Sequence, residues 1–266
     1  MMAFIAYDNL LDKAINQSVL NSSALASGYS IESVADSKTH TGIKFASTGT
    51  NYITLGQMGG PPRKINTVCI MGGNLNGSVS VQWSDDGITW AAGGLGSNSF
   101  SFSTFPNMVV GQFNLDESAE IKKKWWRLWF QNVSADMFIS IVQLSNVTWN
   151  LQPIGTGFRP PIYEHYDSIN AQGNAANYLG RSIKRKPMDL TIKQQGITQL
   201  NLRDEWVPFL DHAARKPFFF SWPDHYGTGL SSSTISAYCW TEKPQQPVYN
   251  SLCSASINLK VKAIIK

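Results

Sequence analysis

The segment from Val79 to Trp90 constrains the fold of this 266-residue chain more than any other. Apolar and polar residues alternate from Val79 to Trp83, Asp86-Gly87 follows, and the pattern resumes from Ile88 to Trp90. Alternation with a period of two is typical of a half-buried strand, and Asp-Gly between two such runs is a hairpin signal. We therefore predict a β-hairpin with its turn at Asp86-Gly87.

The composition also favours a β-rich fold. Charged residues make up 15% of the chain, against a usual level of about 25%, and there are 9 Trp, 9 Tyr and 13 Phe. Aromatic side chains suit the pleated, half-buried surface of a sheet. Within residues 1–149, further strand patterns cover Ile65–Met71, Lys124–Phe130 and Met137–Leu144. Short strands at this spacing predict a sandwich or a barrel.

A second unit is predicted over residues 178–266, after a Pro/Gly-rich linker at 150–177. Alternation predicts strands at Met188–Gln194 and Ser254–Ile265, and Asn201 is a suitable N-cap for a helix between them. Pro208 should kink this helix or mark a break at Val207. The predicted apolar face of the helix consists of Leu202, Trp206, Phe209, Leu210 and Ala213. We expect Trp206, Phe209 and Leu210 to hold the helix on the C-terminal sheet.

Four short motifs in the first 149 residues resemble the discoidin-like (coagulation factor 5/8 C-type) family. They occur in the family's order, at Tyr52–Gly56, Ile65–Gly72, Trp83–Trp90 and Trp125–Leu128. The first lacks the family's Asp, and in the last a Trp replaces the family's first Arg. The resemblance implies a galactose-binding-like jelly-roll sandwich that binds sugars or other surfaces through loops at one end. Those loops vary within the family, so no sugar-contacting residue is carried over.

The C-terminal unit resembles the tail-tube and distal-tail proteins of tailed bacteriophages. The order strand, helix, strand, strand and final alternating strand carries this resemblance, and the run Leu210–Phe220 is its most similar part. It implies a small β-barrel or sandwich with one flanking helix that joins identical copies into a ring. The expected fold is therefore mainly β, with a discoidin-like sandwich at 1–149, a linker at 150–177 and a tail-tube-like oligomerisation domain at 178–266.

Charge and hydropathy argue against nucleic-acid and membrane partners. The net charge is only +4, and no aromatic-interleaved RNA motif accompanies the basic cluster of Arg181, Lys184, Arg185 and Lys186. This cluster could meet nucleic acid or a phosphorylated glycan, but we favour a solvated loop or a charged subunit contact. The N-terminus lacks the pattern of a signal peptide, and no run approaches the roughly 18 apolar residues of a membrane span. We expect synthesis in the cytoplasm and no membrane insertion.

The three cysteines, Cys69, Cys239 and Cys253, do not form a disulfide framework. Cys69 and Cys239 lie in apolar runs, where a free cysteine behaves as a small hydrophobic residue. This usage fits a reducing cytosol. Whether Cys239 pairs with Cys253 on a neighbouring strand stays open.

No catalytic, cofactor-binding or metal site is predicted, and no cofactor is expected. The chain contains no G-x-S-x-G, H-E-x-x-H or paired-Cys motif. His212 follows Asp211 and His225 follows Asp224, but adjacent residues on a helix point in different directions. The other histidines are His40 and His165. The chain is therefore not expected to be an enzyme. The sequence leaves open one alternative, in which two carboxylates meet in space as a glycosidase pair.

The acidic turn and the tryptophans each allow two interpretations. Asp85 and Asp86 could bind calcium, but Asp and Gly are also what a hairpin turn needs, and we favour the turn. Five tryptophans could stack on sugars, namely Trp83, Trp90, Trp125, Trp126 and Trp129. Because they fall on strands, we expect most of them in the core.

The sequence predicts a structural component of a phage tail tip or baseplate. It would form a homo-oligomeric ring on the tail tube, meet other tail proteins such as the tube, hub or fibres, and contact host surface glycans through its N-terminal domain. Its expected location is the virion. The alternative is a stand-alone bacterial carbohydrate-binding lectin, which would need exposed aromatic and polar groups that converge on the sandwich loops.

Overall fold

The computed structural model describes residues 3–17, 19–56, 63–92, 99–102, 108–112, 122–150, 165–172, 178–186, 188–223, 234–243, 245–251 and 254–265. The chain divides into an N-terminal unit, Phe4–Asn150, and a C-terminal unit formed mainly by Leu151–Ile265. The division into residues 1–149, a linker at 150–177 and residues 178–266 stays a prediction.

Among the described residues of the N-terminal unit, strands are the main regular elements. A helix, α1 (Leu10–Asn16), and a short 3-10 helix, Ile31–Val34, accompany them. The strands are β1 (Phe4–Asn9), β2 (Leu20–Ser22), β3 (Gly49–Leu55), β4 (Arg63–Lys64), β5 (Thr67–Gly73), β6 (Ser78–Ser84), β7 (Ala91–Ala92), β8 (Ser99–Ser101), β9 (Met108–Gln112), β10 (Lys122–Lys123), β11 (Trp125–Val133) and β12 (Phe138–Asn150).

Two antiparallel sheets of this unit share one apolar core. The first sheet has the order β1-β12-β5-β9, and the second has the order β2-β3-β11-β6-β7 with β8 also paired to β6. Side chains from both sheets meet in one cluster, including Ile70 and Val142 from the first sheet and Val81 and Leu128 from the second. This arrangement is a β-sandwich. The mainly β fold expected from the sequence is confirmed.

The predicted hairpin is present, but its return strand was predicted two to three residues too early. Strand β6 ends at Ser84, residues 85–89 form a loop, and β7 at Ala91–Ala92 pairs with Gln82 and Trp83. Ile88–Trp90 is therefore not a strand. The side chain of Asp86 accepts the backbone N–H groups of Ile88 and Thr89, so these residues follow the loop instead of a two-residue turn.

The C-terminal unit combines a sheet with a helical segment. Its strands and helices are β13 (His165–Gln172), β14 (Tyr178–Lys186), β15 (Met188–Thr198), α2 (Gln199–Asn201), a π-helical turn (Leu202–Trp206), α3 (Val207–Ala213), β16 (Phe218–Pro223), β17 (Thr234–Trp240), β18 (Val248–Ser251) and β19 (Ser254–Ile265). The order β15-β19-β17-β16 forms the sheet, with β18 also paired to β19. Strands β13 and β14 pair with each other, so β13 lies inside the predicted linker and the basic cluster at 181–186 lies on a strand instead of a loop.

The helical segment begins earlier than the sequence suggests. Thr198, in an extended conformation, is the N-cap, and its side-chain oxygen accepts the backbone N–H of Asn201 at 3.2 Å. Asn201 itself already has helical dihedrals and is not the cap. The predicted buried face is confirmed, because Trp206 is 3% exposed and Phe209 is fully buried.

Pro208 marks a change in hydrogen bonding at the predicted position. In the π turn that precedes it, the Val207 N–H bonds to the Leu202 carbonyl, and α3 begins at Val207. Proline has no N–H, and its ring collides with the carbonyl four residues earlier in a regular α-helix. The wider π turn therefore accommodates the proline without ending the helix.

None of the helices that the structure describes is long and apolar enough to cross a membrane.

Candidate functional site

The outer face of the second sheet carries an unusual row of side chains along β11. Trp126, Leu128 and Phe130 point into the core, whereas Arg127 and Trp129 are only partly buried on the opposite face. This follows from the two-residue period of a strand. Large side chains thus occupy both faces of β11.

Strand register places polar and aromatic partners beside Arg127 and Trp129. Arg127 lies opposite Gln82 on β6, and Trp129 lies opposite Tyr52 on β3. Arg127 Nε donates a 2.8 Å hydrogen bond to Gln82 Oε1. The rings of Tyr52 and Trp129 are nearly parallel, with an angle of 5° and 6.4 Å between centroids.

Two indole rings enclose the guanidinium group of Arg127. Its Cζ atom lies 4.3 Å from the ring centroid of Trp90 and 4.5 Å from that of Trp129. Cation–π contacts of this kind contribute about 0.5–1 kcal/mol at exposed sites and more when desolvated. We call the set Tyr52, Gln82, Trp90, Arg127 and Trp129 the Arg127 platform.

The loop at residues 85–89 positions Trp90 for this contact. Asp86 Oδ1 accepts the backbone N–H groups of Ile88 and Thr89, each at 2.8 Å, and the Ser84 hydroxyl at 2.7 Å. The hydrogen bond from Ser84, followed by those from Ile88 and Thr89, holds the pKa of Asp86 well below its ordinary value. Asp86 therefore organises the turn through these hydrogen bonds.

The ring of Trp125 packs closely against Gly87 of the same loop. Gly87 has a φ of +75°, and a Cβ atom there would lie 2.9 Å from ring carbons of Trp125. The loop can approach this ring so closely only because residue 87 is glycine. The Asp85 carboxylate adds a 2.5 Å ion pair with Lys123.

The charge of Arg127 is retained in this setting. Partial burial lowers its pKa, and Tyr52 opposes that shift. Because the pKa of arginine ordinarily exceeds about 12, the guanidinium stays positive at neutral pH. The platform therefore presents a fixed cation between flat aromatic surfaces.

A polar cluster joins two loops of the sandwich. The Ser134 backbone N–H donates to Asn76 Oδ1 at 2.8 Å, and the Ser134 hydroxyl donates to Asp136 Oδ1 at 2.5 Å. The hydrogen bond from Ser134 also holds the pKa of Asp136 below its usual value. These contacts fasten the loops to each other, so the cluster has a structural role.

The five candidate tryptophans divide between the core and the surface. Trp83 and Trp126 are buried and pack together, with ring centroids 6.0 Å apart. Trp125 supports the 85–89 loop, and Trp90 and Trp129 belong to the platform. The expectation that most would be core is therefore correct for only two of them.

The structure does not bring the remaining sequence candidates together. Asp211 pairs with Arg215 instead of His212, whose Nε2 lies 3.2 Å from the Pro217 carbonyl oxygen. His40 is exposed, and His165 lies on β13. The other imidazole–carboxylate neighbours at 224–225 lie outside the described residues. Among the residues described, no group of three or more His, Cys, Asp or Glu side chains could hold a metal ion.

Cys69 and Cys239 are free and buried. Burial raises the pKa of both thiols, because a low-dielectric environment disfavours the thiolate. They are therefore unreactive packing residues. Position 253, whose pairing with Cys239 the sequence left open, lies outside the part of the chain that the structure describes.

Sequence reasoning missed the platform as a unit. Arg127 entered only as part of a family-like motif, and Gln82 and Tyr52 were not linked to it. The alternation of β3 and β11 places Tyr52, Arg127 and Trp129 on outer faces. The missing information was the register that sets these strands and β6 side by side.

No protein-family model and no curated protein sequence matches the chain. A protein from Bacteroides thetaiotaomicron, named as an alpha-L-fucosidase, is 16% identical with a TM-score of 0.38 over 47% of this chain, and only 27% of the fucosidase is covered. CBM32-1 from a family 31 glycoside hydrolase of Clostridium perfringens is 13% identical with a TM-score of 0.36, covering 48% of this chain and 94% of its own. Reduced XRCC1, solved with the DNA polymerase β catalytic domain, is 18% identical with a TM-score of 0.34, covering 48% and 93%.

Proposed function

We propose that the N-terminal unit binds carbohydrate, as its discoidin-like motifs imply, but on the Arg127 platform of a sheet face instead of the loops at one end of the sandwich. The observation that carries this proposal is the guanidinium held between Trp90 and Trp129 on the partly exposed outer face of β11. Indole and phenol rings offer flat apolar surfaces to the C–H face of a sugar, and the neighbouring polar groups can bond to hydroxyls. Arg127 supplies such a group within the platform, and the buried Gln82 orients it by accepting the hydrogen bond from its Nε.

A glycan panel tests this function directly. The intact chain should retain a subset of immobilised glycans, and Trp129→Ala should weaken binding by about tenfold or more, since aromatic residues dominate binding hot spots. Tyr29→Ala is the matched control, because Tyr29 is an exposed aromatic residue of the same unit outside the platform. Undiminished binding by Trp129→Ala would refute the platform as the site.

We further propose that the C-terminal unit assembles copies of the chain into a ring of a phage tail tip. The order of β15, the helical segment, β16, β17 and β19 matches the order on which the tail-protein resemblance depends. Four of the six large apolar side chains that are exposed among the described residues belong to this unit. They are Leu200 at 60%, Val207 at 48%, Val248 at 62% and Tyr249 at 66% exposure. Apolar surface of this kind favours self-association.

Two measurements test the assembly. Light scattering on the purified chain should give the mass of an oligomer, and Tyr249→Asp should reduce it, whereas Gln195→Asp at another exposed position should not. Immunogold labelling of phage particles should mark the distal end of the tail. Label absent from particles, with the protein only in the soluble fraction, would favour the lectin alternative.

A further inference from the structure

The hydrogen-bonding capacity of Arg127 is only partly used. Its Nε donates to Gln82, and no acceptor in the described residues bonds to Nη1 or Nη2. None of the ion pairs between described residues includes Arg127. Arg127 is only partly buried, and neither Nη atom is among the buried side-chain atoms without a partner in the described chain.

The unused end of the guanidinium is already held in place. Contacts with Trp90 and Trp129 fix its plane, and the bond to Gln82 fixes its rotation within that plane. A ligand that binds there does not have to order a flexible side chain, so its binding loses little entropy. The planar fork of an arginine matches the two oxygens of a carboxylate.

The nearby carboxylates are committed to other groups. Asp85 pairs with Lys123 at 2.5 Å, and Asp86 Oδ1 accepts bonds from Ser84, Ile88 and Thr89. Neither neutralises Arg127 by direct contact. The positive charge of the platform is therefore available to an anionic ligand.

We infer that the Arg127 platform binds an acidic sugar, specifically a hexuronate residue of a polysaccharide. The hexuronate carboxylate accepts hydrogen bonds from Nη1 and Nη2 of Arg127, and the sugar ring packs against the aromatic rings of the platform. This inference rests on the carbohydrate-binding function proposed above and narrows the class of sugar.

Calorimetry with matched oligosaccharides tests the inference on the unmodified chain. The ligands are tetragalacturonate, its fully methyl-esterified form and neutral galactotetraose. The acid should bind about tenfold to a hundredfold more tightly than the ester, because hydrogen bonds to a charged group usually raise affinity by about this factor. This preference should shrink when NaCl rises from about 0.05 M to about 0.5 M, because salt screens exposed charges.

A pair of arginine variants assigns the preference to one residue. Arg127→Met should abolish the preference for the acid over the ester. Arg203→Met removes the same charge from an exposed helical position in the C-terminal unit and should leave the preference unchanged. Thermal unfolding checks that both variants are folded, and if Arg127→Met is not, the acid–ester comparison on the unmodified chain still decides.

The outcomes separate this inference from the function on which it rests. Equal binding of acid and ester, or tighter binding of a sulfated galactan than of the uronate, would overturn the inference and leave the carbohydrate-binding proposal intact. Binding of neutral glycans from the panel without binding of the uronate would have the same meaning. No binding of any glycan would overturn both.

Discussion

Trp206 connects the helical segment of the C-terminal unit to its sheet through a chain of aromatic contacts. Its ring is 3% exposed and meets the Phe209 ring at 74° with 6.0 Å between centroids. Phe209 in turn meets Phe218 of β16 at 88° and 4.9 Å. Truncating a buried Trp to Ala typically costs about 3–5 kcal/mol, of which an aromatic edge contact accounts for about 0.5–1.5 kcal/mol. We therefore expect Trp206→Ala to lower the free energy of unfolding of this unit by about 3–5 kcal/mol.

Scanning calorimetry of the intact chain measures this loss. For a unit of about a hundred residues, each kcal/mol lowers the Tm by about 4–8 °C, so the affected transition should move down by at least about 12 °C. The neighbouring Val207 is 48% exposed, and Val207→Ala should change stability by no more than about 0.5 kcal/mol. An unchanged Tm in Trp206→Ala would refute the packing of the helix on the sheet.

Three smaller perturbations test the local geometry. Gly87→Ala should lower the free energy of unfolding by about 1–2 kcal/mol, because residue 87 has a left-handed backbone conformation, and displacement of Trp125 should lower it further. Urea unfolding measures the change, and wild-type stability of the variant would contradict this geometry. Thr198→Ala should cost about 1 kcal/mol by removing the helix cap, and Thr198→Ser should restore it in the same assay. Because the pKa of Asp86 is depressed in the folded state, the ionised carboxylate contributes stability above its unfolded pKa, and this is lost as pH falls through the folded pKa. Asp86→Asn should remove that part of the acid dependence of the Tm between about pH 5 and about pH 2, and an unchanged pH profile would argue against the hydrogen-bonded loop.

Sequence periodicity was sufficient for features that depend on one segment at a time. The alternation of β6 and β11 and the buried face formed by Trp206 and Phe209 follow from spacing alone. Burial enforces such patterns, because a one-residue slip would move every apolar side chain to the wrong face. The mainly β class was predictable for the same reason.

Features that depend on competing local hydrogen bonds were harder to predict. Asp86 draws Ile88 and Thr89 into a loop, which displaces the return strand to Ala91. Thr198 takes the capping position that Asn201 could also fill. Thr198 and Asn201 both have side chains that can cap a helix, so the sequence alone does not decide which of them is the N-cap.

The Arg127 platform was the feature hardest to predict from the sequence, because it joins four separate segments. Tyr52, Gln82, Trp90 and Arg127 are separated in the chain, and only the register of β3, β11 and β6 unites them. Trp90 also requires the course of the 85–89 loop. Surface sites assembled across strands leave no fixed spacing in the sequence.

The π turn at Leu202–Trp206 behaves like a one-residue insertion within the helix. Deleting one residue from it would permit regular α-helical bonding, but it would also rotate Gln199 and the cap at Thr198 by about 100° relative to α3. Strand β15, which ends at Thr198, would then meet the helix from another side. The regular helix would also restore the collision between Pro208 and the carbonyl four residues before it. The extra residue and the proline should therefore be gained or lost together among related chains.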